Sequence, residues 1–162
     1  MDVSALHDED GHAWALQQAA LLRRLATSGL PVPNDLDLQN VAEEIEDLGN
    51  EQRFQVEGNL RQALVHLIKL ACQPDDQAVL HWSLECRAFL DGALERFRPS
   101  MRRLLDMDAL WRKACRRVDY EARLNRVDVP MLPDAMPFTL DELLDPDADP
   151  RLLADRLFDH PT

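Results

Sequence analysis

From Leu38 to Cys72 the chain reads LQNVAEEIEDLGNEQRFQVEGNLRQALVHLIKLAC. Apolar residues return every three or four positions, first as Leu38, Val41, Ala42, Ile45 and Leu48, then as Leu60, Leu64, Leu67, Ile68 and Ala71. That spacing puts them on one face of a helix, not on the alternating face of a strand. Asn34, Asp35 and Asp37 supply N-caps for the first set. Gly49-Asn50 reads as a break or kink, so the stretch predicts two helices, the second from about Glu51 to Cys72. The second is apolar nearly all round in its latter half, which makes it the central element.

The same period extends in both directions. A first helix is expected from about Asp8 to Thr27, with Ala13, Leu16, Ala20 and Leu21 inward, ended by Ser28-Gly29 and Pro31. A fourth runs from about Gln77 to Arg98 on Val79, Trp82, Cys86, Phe89, Leu90, Ala93 and Phe97. A fifth runs from Met101 to about Arg126 on Leu104, Leu105, Trp111, Cys115, Val118 and Ala122. Pro130, Pro133 and Pro137 then hold an extended stretch, from which Met131, Leu132, Met136 and Phe138 are expected to pack onto the helices. Thr139 to Glu142 is a capping box opening a short helix, and Asp149-Pro150 opens another. The expected fold is all-α: an antiparallel bundle of four to five main helices with a Pro-rich segment and short C-terminal helices. The bundle is assigned to residues 1–145 and a short helical extension to 146–162.

The 162 residues carry a net charge of −12. That charge opposes non-specific binding of the whole chain to nucleic acid. The distribution is uneven: from Arg96 to Arg126 there are ten basic and four acidic residues. Cys72, Cys86 and Cys115 form no C-x-x-C spacing and are read as buried, reduced thiols. The N-terminus begins with acids and lacks a basic n-region, and no uncharged run is long enough for a membrane span, so a cytoplasmic setting is expected.

Several segments resemble one family. These are Asp10-Gly-His-Ala-Trp-Ala-Leu-Gln-Gln-Ala19, Leu36 to Gly49, His66-Leu-Ile-Lys69, Gln73-Pro74, Trp82 with Arg87, Pro99 to Arg102, Tyr120 to Arg123, and Pro137-Phe-Thr-Leu140 with Leu143-Leu144. Together they resemble the DUF29 family of small bacterial helical proteins without an assigned function. The resemblance covers about residues 8–145 and is most specific from Asn40 to Gly49. It implies an all-α fold and a bacterial cytosolic setting, and it carries no catalytic residue over. The chain departs from the pattern before Trp14, where His12 or Gly11 stands in place of the usual aromatic. It is also shorter after Arg123, and its tail after Asp147 is an addition.

Three constellations are candidates for chemistry. Glu43 and Glu44 with His66 and His81 are the residue types of a carboxylate–histidine metal site, as a metal-assisted hydrolase would need, although no Glu-x-x-His motif occurs. Gln62, His66 and Lys69 form a polar seam that Glu44 and Arg87 could complete as a network or shallow pocket. Arg112, Lys113, Arg116 and Arg117 could bind phosphate or another anion, unless acidic segments neutralise them internally. No nucleophile elbow or Gly-rich phosphate loop is present, and no cofactor is expected. The expected function is a non-enzymatic helical module that binds a protein partner or itself.

Overall fold

In the computed structural model, which describes residues 3–158, every regular element is helical and no strand occurs among the described residues. The helices are α1 (Val3–Glu9), α2 (Gly11–Thr27), α3 (Leu38–Cys72), α4 (Val79–Arg96), α5 (Met107–Asn125), α6 (Leu140–Leu143) and α7 (Pro150–Asp155), with a 3-10 turn at Pro99–Met101. None of them is long and apolar enough to cross a membrane. The chain divides into two compact units, and α3 contributes its first half to one and its second half to the other.

Unit one holds the described residues up to Gln55 together with Arg96–Leu104. The helix expected over residues 8–27 is two helices, because Asp10 leaves helical geometry at φ −142° to cap α2. Its carboxylate accepts from the backbone N of Ala13 at 2.9 Å, from the backbone N of Ser100 at 3.1 Å and from Ser100 Oγ at 2.8 Å. The Ser100 hydroxyl, having donated to Asp10, accepts from Nδ1–H of His12 at 2.7 Å. This chain of bonds ties the start of α2 to the 3-10 turn. It also rotates α2: the buried residues are His12, Ala15 and Ala19, while Ala20 and Leu21 face outward.

Burial pushes the Asp10 carboxyl up, but the bonds from Ala13 and Ser100 outweigh it and hold the group below its ordinary 3.8. Burial lowers the His12 imidazole below its ordinary 6.5 against the pull of the Asp10 charge, and nearby Arg53 adds to the lowering. The ring is therefore neutral, and its Nε2 is buried without a hydrogen-bond partner among the described residues.

The expected break at Gly49-Asn50 does not occur; α3 is one helix of 35 residues. Gly49 is buried, and a Cβ built there meets Ala15 Cβ at 3.0 Å and the His12 carbonyl oxygen at 3.5 Å. The glycine serves close approach of α2 to α3, not a change of direction. The inward line in unit one is accordingly Leu38, Ala42, Gly49, with Ile45 half-buried, and Val41 and Leu48 are exposed.

Unit two holds Val56–Glu95 and the described residues from Leu105 onward. The six residues Ala63 to Ile68 of α3 are all buried, so this half of the helix is enclosed, as its composition predicts. Cys86, Leu90 and Ala93 face inward from α4, and Leu110, Trp111, Ala114, Val118 and Ala122 from α5. Fully burying each such Leu or Val contributes roughly 1.5–3 kcal/mol. α5 begins at Met107 and not at Met101, because the Asp106 side chain caps it on Ala109 N at 2.8 Å. Leu104, outside the helix, is exposed.

The Pro-rich segment is fixed where Trp111 Nε1–H donates to the Pro133 carbonyl at 2.8 Å and where Phe138 is buried. Met131, expected to pack inward, is 95 % exposed. The capping box at Thr139 and Glu142 is complete in both directions. The described residues after 145 belong to unit two, where Arg87 Nη1 donates to the Ala148 carbonyl at 2.9 Å and Arg156 pairs with Glu142 at 2.7 Å.

Two outcomes follow. Gly49→Ala is expected to lower stability by about 1 kcal/mol despite better helix propensity, because the Ala15 methyl is fixed to its backbone. Gly58→Ala, in the same helix with nothing within 4 Å of the added methyl, should raise it by about 0.5–1 kcal/mol. Urea unfolding of both variants measures the contrast. A group depressed on folding stabilises above its unfolded pKa and loses that contribution as pH falls. Stability should therefore decline below about pH 6.5 on account of His12 and again below about pH 3.8 on account of Asp10. Urea midpoints across pH should show the first decline vanish in His12→Asn, whose amide keeps a donor toward Ser100.

Candidate functional site

Helix α3 passes between α4 and α5 in unit two, and its polar seam meets both neighbours at its borders. His66 is buried and both of its ring nitrogens face acceptors: Nδ1–H donates to the Gln62 carbonyl at 2.8 Å, and Nε2 lies 2.8 Å from Glu85 Oε2. The ring is also tilted against Phe89, 5.5 Å between centroids. His81, exposed and one turn before Glu85, brings its Nε2 to 3.3 Å from the same oxygen. Glu85 thus joins two histidines that the sequence places on different helices.

Lys69 turns toward α5 instead. Its Nζ lies 2.6 Å from Glu121 Oε2, while Arg117 Nε donates to the other oxygen of that carboxylate. Burial pushes the Glu121 carboxyl up, but the bonds and charges of Lys69 and Arg117 bring it below its ordinary 4.5. Arg87 pairs with Asp91 on its own helix. The seam residues in unit two therefore do not converge on one another: His66, Lys69 and Arg87 each take a separate acid. Glu43 and Glu44 lie in unit one, both exposed on α3. Among the described residues no group of three or more His, Cys, Asp and Glu side chains could hold a metal ion.

Beside the Lys69–Glu121 pair is a cleft of about 320 Å³, walled by Trp82, Val118 and Ala122 and edged by Gln73, Asp76 and Asn125. Sequence reasoning named Lys69 here but not Glu121 or Trp82 as its companions. The signal for Glu121 was its place four residues after Arg117, the spacing of a helical ion pair.

The basic residues of α5 divide into two sets. Arg117 is neutralised by Glu121 and Arg123 by Asp119, both on the same helix. Arg112, Lys113 and Arg116 are exposed and make no ion pair among the described residues. Arg112 and Arg116 edge a groove of about 280 Å³ formed with Trp111, Cys115, Leu132, Pro133 and Asp134. Of the three thiols expected to be buried, Cys86 is, while Cys72 and Cys115 are half-buried; burial still raises all three, Cys86 to about 12 and Cys72 and Cys115 to about 11, so they stay protonated at neutral pH.

Glu121→Gln should lower stability by about 1–2 kcal/mol at pH 7 by leaving Lys69 without its counter-charge. A depressed carboxyl stabilises above its unfolded pKa, so the difference from wild type should shrink as pH falls below 4.5. Denaturation of both proteins at pH 7 and at about pH 3 checks it.

No curated protein matches the chain. Among solved structures it is similar to an alpha-helical protein of unknown function from Rhodospirillum rubrum ATCC 11170. The two share 30 % identity with a TM-score of 0.86, over 93 % of this chain and 96 % of that one. The family model described as "Domain of unknown function DUF29" matches residues 6–148, and the chain belongs to that family.

Proposed function

We propose that this chain is a non-enzymatic helical protein-interaction module of the bacterial cytosol. The observation that carries the reading is on α4. Leu80 and Leu84 stand one turn apart, 62 % and 63 % exposed, outside the buried stripe of Cys86, Leu90 and Ala93. Ala88 continues their line one turn further and is also exposed. Leucines repeated at this spacing on a solvent face cost solubility and are relieved when a partner covers them. Burial of each on binding is worth roughly 1.5–3 kcal/mol.

The polar residues nearby support binding over turnover. Glu85 and Glu121 are engaged by His66 and Lys69 of α3, so their oxygens are committed to holding helices together, and Asp91 is paired with Arg87 on its own helix. The protonated, buried Cys86 thiol and the bacterial source of the similar structure fit a reducing cytosolic setting.

The double variant Leu80→Lys, Leu84→Lys should keep its helical circular dichroism and its melting temperature. Used as bait in native lysate, it should lose the proteins that the wild-type chain retains. Identical retention by the two baits would remove α4 as the docking face.

A further inference from the structure

A second surface, in unit one, carries its own signature. The first half of α3 turns Glu44, Asp47, Leu48, Glu51 and Phe54 toward solvent around a shallow groove of about 600 Å³. Leu48 and Phe54 are both 56 % exposed, so the groove has an apolar floor inside an acidic rim. The Arg53 guanidinium lies 4.5 Å from the Phe54 ring centroid, which orients the ring while leaving more than half of the residue open. Glu44 and Glu51 make no ion pair among the described residues.

The complement exists on the same chain. In unit two, Arg112, Lys113 and Arg116 form a basic edge that makes no ion pair among the described residues, three cations against the single acid Asp134 on the same groove, and Met131, 95 % exposed, adjoins Leu132 in the wall that Arg112 and Arg116 rim. A flexible apolar side chain next in the chain to a groove edged by arginines matches an apolar floor flanked by carboxylates. The geometry points to a second copy of this chain as the occupant of the α3 groove: Met131 of one copy enters between Leu48 and Phe54 of another, with Arg112 and Arg116 meeting Glu44 and Glu51. This deepens the interaction reading and rests on it, but uses a face other than α4.

Salt alone is a poor test. Two chains of charge −12 repel over the distance at which such patches attract, and salt screens both effects. Charge exchange separates them. The acid-reversed variant Glu44→Lys, Glu51→Lys lowers the net negative charge, so association governed by overall repulsion would strengthen. The proposed contact would be lost instead. The base-reversed variant Arg112→Glu, Arg116→Glu should also lose it, and Met131→Ser should weaken it about tenfold, the loss of one buried apolar side chain.

Sedimentation of the 162-residue chain should show wild type self-associating above its 18.5 kDa monomer mass. Each charge variant alone should be monomeric, and an equimolar mixture of the two should associate again. A wild type that stays monomeric, or association unaffected by either reversal, overturns the proposal. So does a monomer whose Arg112 and Arg116 are required for binding duplex DNA, which would make the basic edge a nucleic-acid surface. Loss of partner capture in the α4 variant, with these negative results, would leave the interaction reading intact and remove only the second copy.

Discussion

Between Ala63 and Ile68 helix α3 has no side it can show to water. Six consecutive residues on a helix point in every direction, and all six are buried. Such a segment folds only if other chain encloses it, so the rest of unit two is organised as a sleeve. α4 and α5 supply apolar faces, and the Pro-rich segment is fastened outside α5 through Trp111. The enclosure has one polar occupant, His66. A buried imidazole without partners would cost several kcal/mol, and the structure answers with an acceptor at each nitrogen, one from its own helix and one from α4. The polar seam is thus a consequence of enclosure: where it meets a neighbouring helix, that helix provides an acid.

How much of this was legible depends on the distance over which the determining interaction acts. The capping box at Thr139 is decided within four residues and is legible in the sequence, as are α4 and the start of α7 at Asp149-Pro150. The enclosure of the second half of α3 was legible because it is a property of composition alone. Gly49 is ambiguous in the sequence because glycine has two opposite uses, to turn a chain or to admit a neighbour. Only the position of Ala15, from another helix, distinguishes them. The rotation of α2 has the same origin: its buried face is chosen by a bond from His12 to Ser100, 88 residues away, which no local pattern encodes.

The candidate site was legible in its parts and not in its pairings. Gln62, His66 and Lys69 were picked out as a seam, but residues three apart on a helix diverge by about 60° once the turn is counted. That divergence sends His66 to α4 and Lys69 to α5. Glu85 and Glu121, which receive them, each sit four residues from another basic or imidazole side chain, so each acid closes a local pair and a long-range pair at once. A carboxylate with two such calls on it is a fastening, which is why the seam fails to gather into one pocket.

The same spacing rule explains why one stretch of α5 keeps its charge. Arg117 and Arg123 have acids four residues away on their own helix. Arg112 has Asp108 at that spacing, but Asp108 accepts from the backbone N of Met136 at 3.1 Å, holding the Pro-rich segment. Arg116 has Asp119 three residues on, but Asp119 is taken by Arg123. Lys113 is followed at four by another cation, Arg117. Of these acids Asp108 is engaged in tying down the Pro-rich segment and Asp119 is paired with Arg123 on its own helix, so neither pairs with this edge. On the first half of α3 the imbalance is reversed: Arg23 takes Glu46, and Glu44 and Glu51 are left over. Charge segregation at the surface is thus the remainder after the internal pairs have formed, and it leaves an acidic patch on α3 in unit one and a basic edge on α5 in unit two, although both units are net negative.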